Sequence, residues 1–194
     1  TREGGLRPES VNVPYCGLPP DPGALWSRWN LDPVLIAVFV AIAIAYAVAL
    51  PAATRRSAVA RGNKICFFAG WFVLSAALIS PLCALSVSLF AARVGQHMLI
   101  VLIGAPLLAM GRPGAIAGAL FANGFKPLTN RGNFLNAFGA SAAFAVALWF
   151  WHMPLPYDAT FDSDIVYWTM HVTMIMSTLW LWSVLLDRRR QRAV

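Results

Sequence analysis

Long apolar stretches without charge alternate with short polar segments along the chain. Five of these stretches are long enough for a helix to cross about 30 Å of hydrocarbon; they cover residues 33–54, 65–92, 94–111, 132–157 and 165–186. The second is longer than a span needs, and we expect Ser80-Pro81-Leu82 to end its helix, because proline removes a backbone donor and clashes with the preceding turn. The remainder, as far as Ala92, is then expected to be a surface segment leading to Arg93.

A sixth apolar run, residues 113–125, is shorter and is interrupted by three glycines and an asparagine. We therefore predict an interfacial or re-entrant piece there rather than a span. The whole pattern predicts an all-α protein, a polytopic membrane helix bundle of about five transmembrane helices. Its expected organisation is an extracytoplasmic N-terminal arm at 1–32, the bundle at 33–187 and a basic cytoplasmic tail at 188–194.

Composition supports a membrane rather than an aqueous surrounding. Apolar residues make up 59% of the chain and charged residues 12%, whereas an ordinary soluble domain carries about 25% charged residues. Such a chain cannot cover itself with polar surface, and a bilayer tolerates the apolar belt that remains.

Because the sequence opens with Thr1 and not methionine, we expect further residues to precede it in the natural chain.

Charge gives the expected orientation. Of the 15 cations, 11 follow the first, third or fifth span, whereas seven of the eight acids lie on the opposite side. The positive-inside rule assigns the cation-rich side to the cytoplasm, so we predict the N-terminus outside and the C-terminus cytoplasmic. A net charge of +7 can also indicate nucleic acid or an anionic lipid surface. Because the cations follow the topology so regularly, we interpret them as a topology signal and expect contact with membrane lipid, not nucleic acid.

All three histidines fall in the outer third of the predicted bundle, on three consecutive helices: His97, His152 and His171. Thioethers accompany them, and imidazole together with thioether suits copper, Cu(I) in particular. The sequence therefore predicts a metal site whose candidate ligands are His97, His152, His171, Met98, Met153 and Met174. The alternative is structural: a histidine in a membrane helix often hydrogen-bonds to a neighbouring helix, and methionine often packs or faces lipid.

Arg93 and the cysteines leave alternatives open. Arg93 is either a snorkelling interfacial arginine or an anchor for an acidic partner or a propionate-like anion. Cys16 and Cys83 are both predicted outside, where they could form a disulfide or contribute thiolate to copper, while Cys66 is expected to pack.

Phosphate loops, dinucleotide fingerprints and nucleophilic serine arrangements are absent, so we do not expect an enzyme.

Several short motifs, in order, resemble one membrane family. They are Trp29-Asn30-Leu31-Asp32-Pro33, Ser80-Pro81-Leu82, Gln96-His97-Met98-Leu99, Ala105-Pro106-Leu107-Leu108 with Gly111-Arg112-Pro113, Trp151-His152-Met153-Pro154 with Tyr157-Asp158, and His171 on a Trp-rich last helix. Together they resemble the polytopic, membrane-embedded assembly factors of caa3-type cytochrome c oxidase, often called CtaG. The resemblance runs from about Trp29 to Trp182, which is most of the chain.

The resemblance implies a multi-pass protein of the bacterial inner (cell) membrane that assembles haem–copper oxidase and handles copper for it at the outer face. Its expected partners are cytochrome c oxidase subunits, and His97, His152 and His171 match the family's histidines. One departure stands out. Where the family commonly has the first histidine of His-Met-x-x-His, this chain has Arg93, so a ligand is lost and a permanent cation lies beside the site.

Three other functions stay open from the sequence. The first is a structural accessory subunit of a respiratory oxidase with no metal of its own, in which the histidines pack or hydrogen-bond. The second is haem ligation by histidines from different helices. The third is transport, although only the second span is interrupted mid-way, and broken helices commonly build transporter sites.

Overall fold

The computed structural model describes residues 13–57, 59–120 and 134–192. All regular secondary structure in those ranges is helical. After a short 3-10 turn at Pro22–Ser27, the helices are α1 (Pro33–Ser57), α2 (Arg61–Ile79), α3 (Leu82–Ser88), α4 (Phe90–Met110), α5 (Pro113–Leu120), α6 (Phe134–Trp151), α7 (Pro154–Asp162) and α8 (Asp164–Arg192). Within α4, a π-helical segment, Leu99–Gly104, joins two α-helical segments.

Four of the helices, α1, α2, α4 and α8, are long and apolar enough to cross a membrane, and α6 with α7 forms a bent pair that counts as a fifth. The protein is thus a polytopic helical bundle, as the apolar pattern predicts. α8 continues as far as Arg192, so residues 188–192 of the predicted basic tail extend the last helix. The predicted interfacial run at 113–125 is helical over Pro113–Leu120, where it packs on α1, and its remainder lies outside the described residues.

The second span ends as predicted, since α2 stops at Ile79 directly before Ser80-Pro81. The expected surface segment up to Ala92 is wrong. Its residues form α3 and the first turn of α4, and Cys83, Ala84 and Ser86 are buried. An extended residue, Leu89, separates the two helices, so the third span begins at Phe90 instead of Val94.

The fourth predicted span is too long at its outer end. α6 stops at Trp151, and α7 leaves it at an angle of 70°. Pro154 explains the break, because it has no N–H to offer to the carbonyl of Phe150 and its ring clashes with a continuing helix. Tyr157, expected at the end of the span, lies on α7.

Small residues bring α2 and α4 into backbone contact. A Cβ atom added at Gly70 of α2 would lie 2.8 Å from the carbonyl oxygen of Gly104 and 2.8 Å from the backbone nitrogen of Leu108. Glycine is therefore needed at this crossing, as is common between membrane helices. α4 in turn packs against α8, which also contacts α6 and α7. The helix that carries His97 (α4) and the helix that precedes His152 (α6) therefore both pack against α8, which carries His171.

The π-helical segment of α4 uses its free carbonyl to bind α8. In a π-helix the carbonyl of Val101 would accept from residue 106, but Pro106 has no N–H. The indole N–H of Trp182 on α8 takes the place of the missing backbone donor and donates to the Val101 carbonyl at 2.9 Å. This bond fixes the half of α4 that follows His97 against α8.

Candidate metal centre at the outer end of the bundle

The structure brings all three histidines together. His97 lies on α4, His152 directly follows α6, and His171 lies about two turns into α8. The ring centroid of His97 is 6.0 Å from that of His152 and 5.6 Å from that of His171. His97 and His171 are 5% and 2% exposed, whereas His152 is exposed. The cluster therefore has a buried pair and one member on the surface.

Backbone hydrogen bonds set the tautomers of two of the rings. Nδ1 of His171 lies 3.0 Å from the carbonyl oxygen of Tyr167, and Nδ1 of His152 lies 2.6 Å from that of Leu148. A carbonyl oxygen can only accept, so Nδ1 carries the hydrogen in each ring and donates it. In the neutral imidazole the lone pair is then on Nε2. Metal-binding histidines are commonly oriented in this way by a carbonyl on the other nitrogen.

Within residues 13–57, 59–120 and 134–192, three ring nitrogens of the buried pair have no hydrogen-bond partner. They are Nδ1 and Nε2 of His97 and Nε2 of His171. Leaving a buried polar group unsatisfied costs about 1–3 kcal/mol. The structural alternative, a histidine that hydrogen-bonds to a neighbouring helix, does not describe His97. Each neutral imidazole has one nitrogen with a free lone pair, and two such nitrogens on neighbouring buried rings suit a copper ion as cargo.

The arrangement is not a closed metal cage. Within the described ranges, no group of three or more His, Cys, Asp or Glu side chains is placed so that it could hold a metal ion. Coordination by all three histidines therefore needs a side-chain movement, and His152, which is exposed, has the most room to make it. The buried pair alone offers a site of low coordination number.

The predicted thioether ligands divide into buried and exposed. Met174 is 3% exposed and packs in an apolar cluster with Val101, Trp151 and Tyr167. Met98 is 40% exposed and Met153 is 53% exposed. Met174 thus lies among the buried residues next to the histidine pair, while Met98 and Met153 are on the surface of the bundle near His97 and His152.

Arg93 is buried, and neither interpretation of it from the sequence is right. It is 5% exposed, so it does not snorkel and cannot anchor a partner. Its Nη2 donates to the Thr160 hydroxyl and lies 3.6 Å from Sδ of Met170. Its guanidinium carbon lies 4.5 Å and 4.6 Å from the ring centroids of Tyr157 and Phe161. These contacts hold α7 against α4 and α8.

A disulfide lies at the same end of the bundle as His171. Cys16 and Cys83 are bonded, with their Cα atoms 5.4 Å apart. Of the two alternatives for these cysteines the bridge is therefore the correct one, and their sulfurs are not metal ligands in this state. The Tyr167 hydroxyl lies 3.3 Å and 3.6 Å from the two sulfurs. Cys66 is free and half-buried.

The N-terminal arm reaches the same place through Tyr15. Its ring stacks on Tyr167 with centroids 4.8 Å apart, and the Tyr167 ring lies 4.3 Å from that of His171. Tyr15 and Thr160 were not predicted as neighbours of the site. No signal in the sequence marks them, since they contact the site only after the arm and α7 fold back onto the bundle. Met170 directly precedes His171 and is one of the thioethers expected beside the histidines, although it is not among the predicted ligands.

Fold and site together define a class: a multi-pass membrane protein with a partly buried histidine cluster near one end of its helices. The model of the cytochrome c oxidase caa3 assembly factor family (Caa3_CtaG) matches residues 44–193, and the chain belongs to that family. The match includes Arg93 and all three histidines, whereas the motif from Trp29 to Pro33 lies upstream of it. No curated protein and no solved structure matches the chain.

Proposed function

We propose that the protein handles copper for cytochrome c oxidase at the outer face of the bacterial inner membrane during assembly of the oxidase. One observation carries the proposal: in the described part of the chain, three ring nitrogens of the buried pair His97 and His171 have no hydrogen-bond partner. A structural pair would be expected to satisfy them, because a buried polar group without a partner lowers the stability of the fold. Each neutral ring keeps one nitrogen with a free lone pair, and Cu(I) is an ion that such nitrogens bind.

The residues of the chain divide the task. His97 and His171 offer lone pairs in a buried position, and the Tyr167 carbonyl keeps the His171 ring in the tautomer that presents Nε2. His152 is exposed and its ring lies 6.0 Å from that of His97, so it can receive copper from outside or pass it on. Met153, also exposed, follows it with a soft sulfur donor.

The expected partners are subunits of cytochrome c oxidase, which would receive the copper, and membrane lipid around the helices. The positive-inside rule supports a cytoplasmic C-terminus and a histidine cluster near the outer face. We propose no catalytic role for any residue, since the task is metal binding and release.

A second candidate function is a structural accessory subunit of the oxidase. Two observations favour it: the absence, in the described ranges, of a three-residue group placed to hold a metal, and the buried cation Arg93 one helical turn from His97. A subunit of this kind would co-purify with the oxidase in fixed proportion. Substituting its histidines would leave the copper content of the oxidase unchanged.

The deciding experiment is a measurement of bound copper in detergent with ascorbate as reductant, because thiol reductants would open the Cys16–Cys83 bridge and add thiolate ligands. We expect about one Cu(I) per chain, lost when His97, His152 and His171 are all replaced by alanine. Gly95→Ala is the matched control, since a Cβ atom there meets nothing within 4 Å. In cells, copper-replete oxidase in a strain that carries only the triple variant would overturn the proposal.

A further inference from the structure

The histidine cluster by itself does not select Cu(I). Three histidines are also the ligand set of catalytic zinc sites, and among divalent ions nitrogen ligands prefer Cu²⁺, followed by the neighbouring metals of the series. Two of the predicted thioethers, Met98 and Met153, are exposed and do not enclose the buried pair. Only Met174, 3% exposed, offers a buried thioether among the predicted ligands. A fixed charge near the cluster is a second means of separating a monovalent ion from divalent ones.

Arg93 supplies a fixed positive charge there. It precedes His97 by one turn on the same buried face of α4. Its Nη2 also lies 3.6 Å from Met170, the residue before His171. The guanidinium is therefore adjacent to both helices that carry the buried pair.

Among the described residues, no side chain in contact with Arg93 cancels its charge. Its partners in the described part of the chain are a hydroxyl, a thioether and two aromatic rings, and no carboxylate is among them. Aromatic faces attract a cation but leave its net charge in place. Arginine stays protonated at every pH at which the protein is folded, so the field is permanent.

We propose that Arg93 is the specificity-determining residue of the cluster and makes it favour Cu(I) over divalent ions. This inference rests on the proposed metal site. Coulomb repulsion grows with the charge of the bound ion, so a divalent ion is opposed twice as strongly in free energy as a monovalent one. At about 10 Å and an effective dielectric constant of about 20, the charge weakens Cu(I) binding about 15-fold and Zn²⁺ binding about 250-fold.

The test compares Zn²⁺ and Cu(I) affinities of the full-length protein in detergent, with ascorbate present for the copper titrations. Arg93→Leu removes the charge and keeps an apolar chain against Tyr157 and Phe161, without adding a thioether donor. Because a fixed charge opposes a divalent ion more strongly than a monovalent one, its removal must raise the two affinities by different factors. We expect Arg93→Leu to bind Zn²⁺ about 250-fold more tightly than the wild type and Cu(I) about 15-fold more tightly.

The gain in Zn²⁺ affinity must disappear when His97 and His171 are also replaced by alanine, which ties it to the cluster. Arg93→Gln, also neutral, replaces Arg93→Leu if the latter does not fold. Unchanged Zn²⁺ affinity in the neutral variant would overturn the inference, and so would equal gains in Zn²⁺ and Cu(I) affinity, since lost packing and not charge would then be the cause. A wild type without Cu(I) would overturn the proposed copper function alone, because the Zn²⁺ comparison does not depend on it.

Discussion

The rings of His97 and His171 lie 5.6 Å apart between α4 and α8, and they hold all three of the histidine nitrogens that are buried without a partner in the described residues. Gln96, next to His97 and 1% exposed, is satisfied in contrast: its side-chain amide donates to the Ala77 carbonyl at 2.8 Å. Two adjacent buried polar residues on α4 thus behave oppositely. One stabilises the bundle, and the other lowers its stability in the metal-free state.

This contrast predicts opposite effects of the same substitution at the two positions. His97→Leu should leave the free energy of unfolding of the metal-free protein unchanged or raise it by about 1–3 kcal/mol, because an unsatisfied polar group is removed. Gln96→Leu should lower it by about 1 kcal/mol, because a buried hydrogen bond is lost. Thermal unfolding of both variants in one detergent checks the pair. A large destabilisation by His97→Leu would show that His97 is structural.

The close approach of α2 and α4 predicts that Gly70 tolerates no side chain. Gly70→Ala places a methyl group 2.8 Å from two backbone atoms of α4, and we expect the free energy of unfolding to fall by about 1–3 kcal/mol. Gly95→Ala is the control, because its Cβ atom meets nothing within 4 Å and alanine is the better helix former by up to about 1 kcal/mol. Equal melting temperatures for the two variants would contradict the packing.

The spans were predictable because hydropathy is a local property. Each apolar run gave a helix, and Pro81 ended α2 where its chemistry requires. The outer end of α6 was extended wrongly to Tyr157, although Pro154 was visible, because a length rule alone does not say whether a helix bends at a proline or stops there. Boundaries at such residues depend on what the next segment packs against.

The level of the site along the helices could be predicted from the sequence, but the directions in which its side chains point could not. Counting residues from the ends of the spans puts His97, His152 and His171 at one level of the bundle, and the structure brings them together. Rotation of a side chain about its helix axis depends on packing, so the exposure of Met98 could not be foreseen. The burial of Arg93 could not be predicted either, because most of its partners lie on α7, which folds back against α4 and α8.

The disulfide predicts the number of reactive thiols. The chain has three cysteines, and only Cys66 is free in the structure. After denaturation without reductant, a maleimide should therefore label one thiol per chain, and all three after reduction. Mass spectrometry of the intact protein checks both counts. The Cys16→Ser variant should label at Cys83 as well without reductant, and the loss of the bridge should lower the free energy of unfolding by about 2–4 kcal/mol.

The N-terminal arm predicts an acid-sensitive contribution to stability. The Tyr15 hydroxyl donates to the Asp32 carboxylate and, together with the Val34 backbone N–H at 2.8 Å, lowers the pKa of Asp32 below its ordinary value of 3.8. Folding therefore favours the ionised carboxylate. The stability that this provides is complete above the ordinary pKa and is lost as the pH falls through the lowered one.

Tyr15→Phe isolates the effect, because it keeps the ring that stacks on Tyr167 and removes only the hydroxyl. We expect the wild type to melt at a higher temperature than the variant at neutral pH, and the difference to shrink below about pH 4 as Asp32 takes up a proton. Melting curves of both proteins in one detergent, from neutral pH down to about pH 3, measure the difference. A gap between the two proteins that stays constant over this range would mean that the hydroxyl stabilises the arm without acting through the charge of Asp32.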